Sequence, residues 1–341
     1  MRVLVTGANG HIGSNLVREL IGRGHQVVAF IRENSNHEGL EGLELERKYG
    51  DVRDADSIHK AAHRCETIIN LAAVYAWGGT IHEIVEPAIQ GVENVLKAAQ
   101  EHNIERVVHT SSIVAVGMAK EAKVLDASHW TTDTSEPYIM AKTQSEKIAW
   151  AKAEELNVPL IVINPAGIIG RHDYKLTPSN AFVRDYAHGL GGVFKGGVNY
   201  VDVRDVAFIH ALALTQGKPG ERYIVSGPNL TPKDFAQAIS HRTDSSAMPY
   251  FLPRWMLVPL AGMLEKIQGP KGPIKKGLAE EFYHRWSWYD CSKTEETFAW
   301  KAKGIEEMVD ESLSWLAHRN ILKPKIAQKV IERIGERDFS S

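Results

Sequence analysis

The sequence predicts an α/β protein built on a doubly wound parallel sheet, with a smaller and mostly helical lobe towards its C-terminal end. The first half alternates short runs rich in valine and isoleucine with helical patterns, which is typical of βαβ units. After residue 165 the pattern changes, because glycines cluster at 188–197 and prolines and tryptophans recur through 245–300. Together these features predict one sheet domain followed by a lobe made of several insertions.

Six apolar runs in the first half have the length and composition of strands. Several are continuous runs of valine and isoleucine, as expected where helices cover both faces of a sheet. The predicted strands are 2–6, 26–31, 44–50, 67–72, 106–111 and 159–164. Helical patterns lie between them at 13–20, 56–64, 91–102 and 138–156. Pro87 predicts that the third of these helices begins late or bends.

The second half is expected to divide between the sheet domain and the lobe. Segments within 198–226 still have strand and helix patterns and are predicted to return to the sheet, whereas 166–320 is mainly a substrate-binding lobe. The last segment, 321–341, has the pattern of a short amphipathic helix. We expect its apolar side chains to dock on the body or on a neighbouring subunit; they are Ile326, Val330, Ile331 and Ile334.

Composition argues against several classes of protein. The 341 residues are 43% hydrophobic and 24% charged with a formal net charge of −2, so there is no electrostatic footprint for nucleic acid. No apolar run reaches the roughly 18 residues of a membrane helix, and a strand begins too early for a signal peptide. Cys65 and Cys291 have no metal-ligand spacing and are too few for a disulfide framework. We expect a cytoplasmic protein that binds no metal, membrane or nucleic acid.

The clearest binding signal is the turn between the first strand and the first helix, LVTGANGHIGSNLV. Gly7, Gly10 and Gly13 follow Thr6 in a strand–turn–helix context. The first glycine permits a tight turn, the second lets a pyrophosphate approach, and the third lets the helix pack on the strand. Amides at the start of that helix are suited to hold phosphates. An ordinary βα turn is the alternative, but the context predicts a Rossmann-type dinucleotide-binding domain over 1–165.

A second signal lies in SEPYIMAKTQSE, where Tyr138 and Lys142 stand four residues apart directly after a proline. On a helix these side chains lie on one face. A nearby cation lowers the pKa of a phenol from its ordinary value of about 10, so that it can exchange a proton near neutral pH. A surface helix with a solvated lysine is the alternative. Ser111 and Ser112 follow the fifth strand at the carboxyl edge of the sheet, where ligands bind in such folds.

These motifs together resemble the extended short-chain dehydrogenase/reductase family, from Met1 to about Leu316. The G-x-x-G-x-x-G turn, a serine after the fifth strand and Tyr-x-x-x-Lys at this distance carry the resemblance. Among family members, the sequence is most similar in character to dihydroflavonol-reductase-like proteins and hopanoid-associated sugar epimerases. Those labels cover different reactions, so the resemblance alone does not fix the function.

The resemblance implies a Ser-Tyr-Lys catalytic set. Tyr138 would be the general acid and base, and Lys142 would lower the pKa of the phenol and bind the nicotinamide ribose. Ser112 would orient and polarise the substrate carbonyl. Ser112 is chosen over Ser111 because the family's serine directly precedes the apolar continuation, here Ile113.

The resemblance also implies a cofactor site. GDVRD corresponds to an adenine-binding turn in which Asp51 accepts from the exocyclic amine and Val52 flanks the ring. Many relatives that use NAD end the second strand with an acidic residue, whereas Ile31 and Arg32 stand here. An arginine fits the 2′-phosphate of NADP, so we expect NADPH, with NAD as the alternative. The remaining expected cofactor contacts, besides the glycines, Tyr138 and Lys142, are Asn9, His11, Ile12, Leu71, Ala72, Ala73, Thr110, Pro165 and Ile168.

Two helix positions complete the comparison with the family. Extended relatives usually carry an asparagine three residues before the glycine of QGVENVL, and this chain has Ala88 there, which puts that part of a proton relay in doubt. Asn94 matches a different position, more structural than catalytic.

Extended relatives often dimerise through the Tyr-x-x-x-Lys helix. We therefore expect a homodimer that partly buries Ile148, Trp150 and Ala151.

Three functions fit the sequence. The first is an NADPH-dependent oxidoreductase that reduces a ketone or aldehyde of a small, moderately apolar molecule. The second is a nucleotide-sugar epimerase or dehydratase with bound NAD; Arg32 argues against that cofactor, and 111–119 lacks a dehydratase's carboxylate. The third, a non-catalytic dinucleotide-binding regulator, is disfavoured because such proteins tend to lose the tyrosine. Candidate substrate contacts, which suit a ring or alkyl group, are Tyr75, Trp77, Tyr174 and Phe182.

Overall fold

The computed structural model describes residues 1–73, 80–133, 136–190, 195–245, 253–268, 276, 279 and 283–339. Its strands are β1 (Arg2–Thr6), β2 (Gln26–Ile31), β3 (Glu46–Tyr49), β4 (Thr67–Asn70), β5 (Arg106–Thr110), β6 (Val124–Leu125), β7 (Leu160–Pro165), β8 (Gly167–Ile169), β9 (Val198–Asp202), β10 (Arg222–Val225), β11 (Asn229–Leu230) and β12 (Trp288–Tyr289). Its helices are α1 (His11–Gly22), α2 (Ala55–Ala62), α3 (Ile81–Glu101), α4 (Ile113–Val116), α5 (Pro137–Glu155), α6 (Pro178–Ala187), α7 (Val203–Leu212), α8 (Pro232–Thr243), α9 (Arg254–Gln268), α10 (Ser292–Phe298), α11 (Ile305–His318) and α12 (Pro324–Ile334).

The central sheet confirms the predicted fold class. Seven strands run parallel in the order β10-β7-β5-β4-β1-β2-β3. The six strands predicted in the first half are all present. The strand order reverses between β1 and β4, and the carboxyl ends of strands at such a point form the crevice where ligands bind in open α/β sheets.

Both faces of the central sheet are covered by helices. One face packs on α1 and α7, and the other packs on α2, α3 and α5. Because neighbouring residues of a strand point to opposite faces, this arrangement buries nearly every position of the inner strands and explains their runs of apolar residues. Side chains on the first face include Val3, Val5, Ile69, Val108 and Ile161; those on the second include Leu4, Ile68, Val107, Leu160 and Val162.

Helix α3 corrects one prediction. Pro87 predicted that this helix, expected over 91–102, begins late or bends; the late start is wrong, because the helix begins at Ile81 and contains the proline in its second turn. Thr80 and Glu83 form a capping box, in which Thr80 Oγ1 accepts from the Glu83 amide at 3.3 Å and the Glu83 carboxylate accepts from the Thr80 amide at 3.0 Å. This cap satisfies amide donors at the helix start and so stabilises a start ahead of the proline.

The smaller lobe is mostly helical. Its core lies between α6, α8, α11 and α12 and includes Phe235 and Leu313, while β8, β9 and β11 form a small separate sheet. Of the segment 198–226, β10 joins the edge of the central sheet and α7 packs on α1, whereas β9 lies in the small sheet. The return to the main domain is therefore made by α7 and β10.

The C-terminal helix α12 belongs to this lobe. Val330 is fully buried, and Ile326 and Ile334 are partly buried against the same core. Ile331 is 41% exposed and is the one predicted anchor that does not dock on the body. Across the described ranges, no helix combines the length and hydropathy needed to cross a bilayer.

Candidate active site

Three glycines shape the turn between β1 and α1. Gly7 has a φ of +66°, a conformation that residues with a side chain rarely adopt. A Cβ atom on Gly13 would lie 2.4 Å from the carbonyl oxygen of Gly7, so the helix can approach the turn this closely only with glycine there. The amide of Gly10 donates to the same carbonyl at 2.9 Å and closes the turn. The turn therefore presents main-chain atoms at the carboxyl end of β1.

The first turn of α1 supplies amide donors suited to an anion. Gly10 precedes the helix in an extended conformation and provides no side-chain cap. The amides of His11, Ile12 and Gly13 therefore have neither a capping side chain nor a carbonyl partner in the preceding turn. A helix start of this kind attracts phosphate through its N–H groups and its dipole.

Two side chains hold this turn in place. Asn9 Nδ2 donates to Ser35 Oγ and to the carbonyl of Asn36, both at 2.8 Å. His11 Nε2 lies 3.0 Å from the carbonyl oxygen of Arg171. Because both side chains are engaged with neighbouring loops, Asn9 and His11 would serve a bound dinucleotide through their backbone.

Arg32 is exposed directly after β2. Its carbonyl accepts from the Ser35 amide at 3.1 Å, while its guanidinium forms no hydrogen bond or ion pair with any residue that the structure describes. The charge of Arg32 still reaches two neighbours. Burial lowers the pKa of Lys175, and the charge of Arg32 lowers it further. The hydrogen bond from Arg53 holds the pKa of Asp51 low, and the charge of Arg32 adds to that lowering. Two cations thus lie close together here, and Lys175 was not predicted because it comes from a loop far along the chain.

Side-chain hydrogen bonds hold the turn that contains Asp51. The Asp51 carboxylate accepts from Arg53 Nε at 2.9 Å and from Nη2 at 2.7 Å. Asn94 Nδ2 donates to the carbonyls of Val52 and Arg53, both at 3.0 Å. The amide of Asn94 therefore anchors this turn to α3, which is a structural role. Val52 is half-buried beside the turn.

The segment after β4 is fixed against the glycine turn by Thr6. Thr6 Oγ1 donates to Asn70 Oδ1 at 2.6 Å and accepts from the Ala72 amide at 3.1 Å. A Cβ atom on Gly7 would lie 3.2 Å from the Ala72 backbone. Leu71 and Ala72 are half-buried, and Ala73 is exposed beside them at the same edge of the sheet.

Lys142 is buried at the carboxyl end of β5. Its side chain extends from α5, and Nζ donates to the carbonyl of Thr110 at 3.1 Å. Burial lowers the pKa of Lys142 from 10.5 to about 8, although the charge of Glu146 acts in the opposite direction. The Thr110 hydroxyl faces away and lies 2.8 Å from His210 Nε2. Thr110 therefore positions the lysine through its backbone.

Tyr138 lies on the same helix one turn before Lys142 and is 5% exposed. It packs against Val114 on the short helix α4. Ser112 caps that helix, and its Oγ accepts from the Val114 amide at 3.3 Å. Ser112 is half-buried, whereas Ser111 is 3% exposed with no hydrogen bond from its hydroxyl to the described residues. The fold thus brings Ser112, Tyr138 and Lys142 to one edge of the sheet.

The other predicted contacts have less specific surroundings. Pro165 is buried at the end of β7, and Ile168 is half-buried on β8. Tyr174 packs beneath Arg319 and against Trp315, where it belongs to an aromatic cluster of the lobe. Phe182 is 39% exposed on α6. Tyr75 and Trp77 lie outside the described residues.

Sequence reasoning missed three polar residues behind the predicted catalytic set. Glu146 is fully buried one turn after Lys142, and its position at i+4 in the same motif was a usable signal. Asn164 on β7 and Arg222 on β10 contact Glu146, but nothing in the local sequence links these strands to α5. Only the sheet topology brings them together.

These features fit a nicotinamide dinucleotide. The glycine turn leaves room that a Cβ atom would fill, the uncapped start of α1 offers donors for a pyrophosphate, and Arg32 stands unpaired among the described residues. Lys142 and Tyr138 lie along the same crevice at the carboxyl ends of β4 and β5. No group of histidine, cysteine, aspartate and glutamate side chains in the described ranges could hold a metal ion.

Comparison with known proteins identifies the family. Residues 3–226 match the NAD dependent epimerase/dehydratase family. The chain is 37% identical over 248 residues to sterol demethylase protein B of Methylococcus capsulatus, covering 71% of this chain and 75% of that protein. It is 30% identical over 337 residues to a Synechocystis protein with the provisional name dihydroflavonol 4-reductase, covering 94% and 95%.

Solved structures share the whole architecture. The structure of gox2253 superposes with a TM-score of 0.81 at 26% identity and covers 94% of this chain and 99% of its own. Yeast methylglyoxal/isovaleraldehyde reductase Gre2 complexed with NADPH has a TM-score of 0.71 at 23% identity, covering 94% and 99%. At that identity the likeness concerns the fold alone. This chain is therefore a member of the NAD dependent epimerase/dehydratase family, an NAD(P)-dependent oxidoreductase of the extended short-chain dehydrogenase/reductase type.

Proposed function

We propose that this protein is an NADPH-dependent reductase that acts on a ketone or aldehyde group of a small, moderately apolar molecule. The observation that carries the proposal is the buried Lys142 ammonium, which is tied to the Thr110 carbonyl on the same helical face as Tyr138. A lysine held in this way has no evident structural need for its charge. Its charge is suited to stabilise a phenolate one turn away.

The chemistry of each side chain follows from its position. When bound, a nicotinamide dinucleotide supplies hydride to the substrate carbonyl carbon. The Tyr138 hydroxyl gives its proton to the carbonyl oxygen as negative charge develops there, and Lys142 stabilises the phenolate that remains. The Ser112 hydroxyl donates a hydrogen bond to the same oxygen. In the reverse direction the Tyr138 phenolate takes the proton from the alcohol.

The preference for NADPH is supported by the end of β2. Arg32 is exposed and has no partner in the described part of the chain, and no acidic residue directly follows the strand. A ribose 2′-phosphate would pair with this guanidinium and would also attract Lys175. Lys175 is close enough that the charge of Arg32 lowers its pKa, although burial is the larger cause. A 2′-hydroxyl would offer neither cation a negative charge.

A nucleotide-sugar epimerase is the second candidate, and the match to the epimerase/dehydratase family favours it. An epimerase keeps NAD bound through its cycle. Against it, the two relatives described above carry the names of a sterol demethylase component and a reductase, and the helix after Ser112 is Ile-Val-Ala-Val, with no carboxylate for dehydration. A non-catalytic regulator would have no use for the buried lysine beside the tyrosine.

One experiment separates these candidates. The protein is purified under native conditions, denatured, and its released nucleotides are identified by mass spectrometry; NADPH oxidation is then followed with a panel of aromatic and aliphatic ketones and aldehydes. A reductase is expected to release little nucleotide and to oxidise NADPH with at least one carbonyl of the panel. Stoichiometric retained NAD, with no NADPH oxidation, would favour the epimerase and contradict the proposal.

A further inference from the structure

A buried ion pair lies one helical turn beyond Lys142. Glu146 on α5 is fully buried, and Arg222 on β10 is 7% exposed. Arg222 Nε lies 2.5 Å from Glu146 Oε1 without the alignment of a hydrogen bond, and Nη2 donates to Oε2 at 3.4 Å. Charges this deep are tolerated only when they are paired and hydrogen-bonded.

Glu146 is connected to both parts of the catalytic set. It follows Lys142 by four residues, so the two side chains lie on one face of α5. Asn164 Nδ2 donates to Glu146 Oε2 at 2.9 Å and to the Ser112 carbonyl at 3.1 Å. A single amide therefore joins the carboxylate to the backbone of the residue that would orient the substrate.

Arg222 connects the same pair to the loop that leads into α5. Its Nη1 donates to the carbonyls of Ala127 and His129 at 2.9 and 2.8 Å. Its guanidinium also lies 3.8 Å from the ring centroid of Trp130. Four groups, three from the loop and one from β7, thus converge on the ion pair, and the pair is held in one geometry.

Stability alone does not account for this arrangement. Replacing a buried ion pair with apolar side chains of similar volume is often neutral or stabilising, because desolvation costs about as much as the attraction returns. The following turns of α5 pack on apolar side chains, where Ala149 and Ala153 share a buried cluster with Val92, Leu96 and Leu160. The pair therefore calls for a role beyond packing, and the nearest chemistry is that of Lys142.

Few other charges face Lys142. On β5, His109 is buried, and burial followed by the charge of Lys142 lowers the pKa of His109 to about 3, so it is neutral. On α7, across the sheet, burial lowers the pKa of His210 to about 4. The face that α3 presents to α5 is apolar (Ile84, Val85, Ala88 and Ile89), and α4 has no ionisable residue. Apart from Tyr138, Glu146 is the charge in the described ranges that acts on the lysine, and Arg222 is the partner of Glu146.

We propose that Glu146 and Arg222 are positioning residues that set the pH range in which the Tyr138–Lys142 pair works. The inference rests on the proposed function of that pair and extends it to the residues behind it. The negative charge of Glu146 favours the charged form of Lys142. The positive charge of Arg222 offsets part of that effect. Removing one member of the pair therefore changes the field at Lys142 and Tyr138, with a sign that depends on which member is removed.

The test uses three variants: Glu146→Gln, Arg222→Met and the double variant that carries both changes. The control is Glu155→Gln, which replaces an exposed glutamate on the same helix. The measured quantity is the pH profile of kcat for alcohol oxidation. Glu146→Gln leaves a positive charge, which favours phenolate and neutral amine, so both limbs should move to lower pH by about one unit. Arg222→Met leaves a negative charge and should move both limbs to higher pH. The double variant and Glu155→Gln should stay near the wild-type profile.

A second measurement needs no substrate. The phenolate absorbance of each protein, minus that of the same protein carrying Tyr138→Phe, gives the titration of Tyr138 directly, and its midpoint should move as the profile does. If one single variant fails to fold, the other carries the test, because each has its own predicted direction of shift. The inference is overturned if the single variants shift in the same direction or not at all. Failure of the proposed function would instead appear as an absence of turnover in the wild type.

Discussion

Lys142→Met should inactivate the enzyme and make it more stable. At neutral pH the folded protein carries a buried ammonium, and the fall of its pKa from 10.5 to about 8 measures the cost of that burial. At about 1.36 kcal/mol per pKa unit, this cost is about 3 kcal/mol. Methionine has a similar length and no charge, so it removes the cost. Loss of the hydrogen bond to Thr110 offsets part of the gain, which leaves about 1–3 kcal/mol.

The sign of the effect gives the prediction a pH dependence. Below pH 8 the lysine is charged in both folded and unfolded protein, so the full cost is present. Between pH 8 and 10.5 the folded lysine is neutral while the unfolded one is still charged, and above 10.5 both are neutral. The stability advantage of Lys142→Met should therefore be largest at pH 7 and shrink as pH rises towards 10.5.

Chemical denaturation at pH 7 and pH 9.5 measures this advantage, and turnover is measured on the same preparations. Lys97→Met is the matched control, because Lys97 is exposed on α3 and its replacement relieves no burial. A variant that is clearly less stable than wild type at pH 7 would refute the reasoning. The lysine would then be holding the fold together, and its charge would not be maintained at the expense of stability.

Three further predictions concern the cofactor and the assembly. Arg32→Ala should weaken NADPH binding by about 5–150-fold, as expected for 1–3 kcal/mol of charge-assisted contact, and leave NADH binding unchanged by fluorescence titration; equal losses would exclude a 2′-phosphate contact. Gly13→Ala should abolish binding of either cofactor, because its Cβ would lie 2.4 Å from a carbonyl oxygen, whereas Gly22→Ala, with nothing within 4 Å, should bind normally. The wild type should be a dimer by light scattering at micromolar concentration and Ala151→Glu a monomer, since Ala151 is exposed on α5; a monomeric wild type would contradict the proposed interface.

Features encoded by local spacing were accessible from the sequence. The runs of valine and isoleucine predicted the inner strands because both faces of the sheet are covered, so each run could be recognised without knowing its neighbours. The three glycines predicted the turn, and the packing at Gly13 explains why that position admits no side chain. The i, i+4 spacing predicted that Tyr138 and Lys142 share a face of α5, as they do.

Features that depend on distant contacts were not accessible. Lys175 comes near Arg32 only because a loop of the lobe lies beside the end of β2. Arg222 reaches Glu146 because β10 is added next to β7 at the edge of the sheet. The start of α3 was predicted too late for a different reason. Pro87 indicated a late start, whereas a capping box begins the helix at Thr80, seven residues before the proline. The capping box favours a helix start at this point, Pro87 disfavours it, and the capping box decides the observed start.

The central claim is that Tyr138 is the proton donor, and Tyr138→Phe tests it most directly. Phenylalanine keeps the ring that packs on Val114 and removes only the hydroxyl. With any carbonyl that the wild type reduces, kcat should fall by at least about 10²-fold, the lower end for general acid catalysis, while the dissociation constant for NADPH stays unchanged. A variant that binds NADPH normally and retains near wild-type kcat would contradict the claim, because the proton would then come from another group.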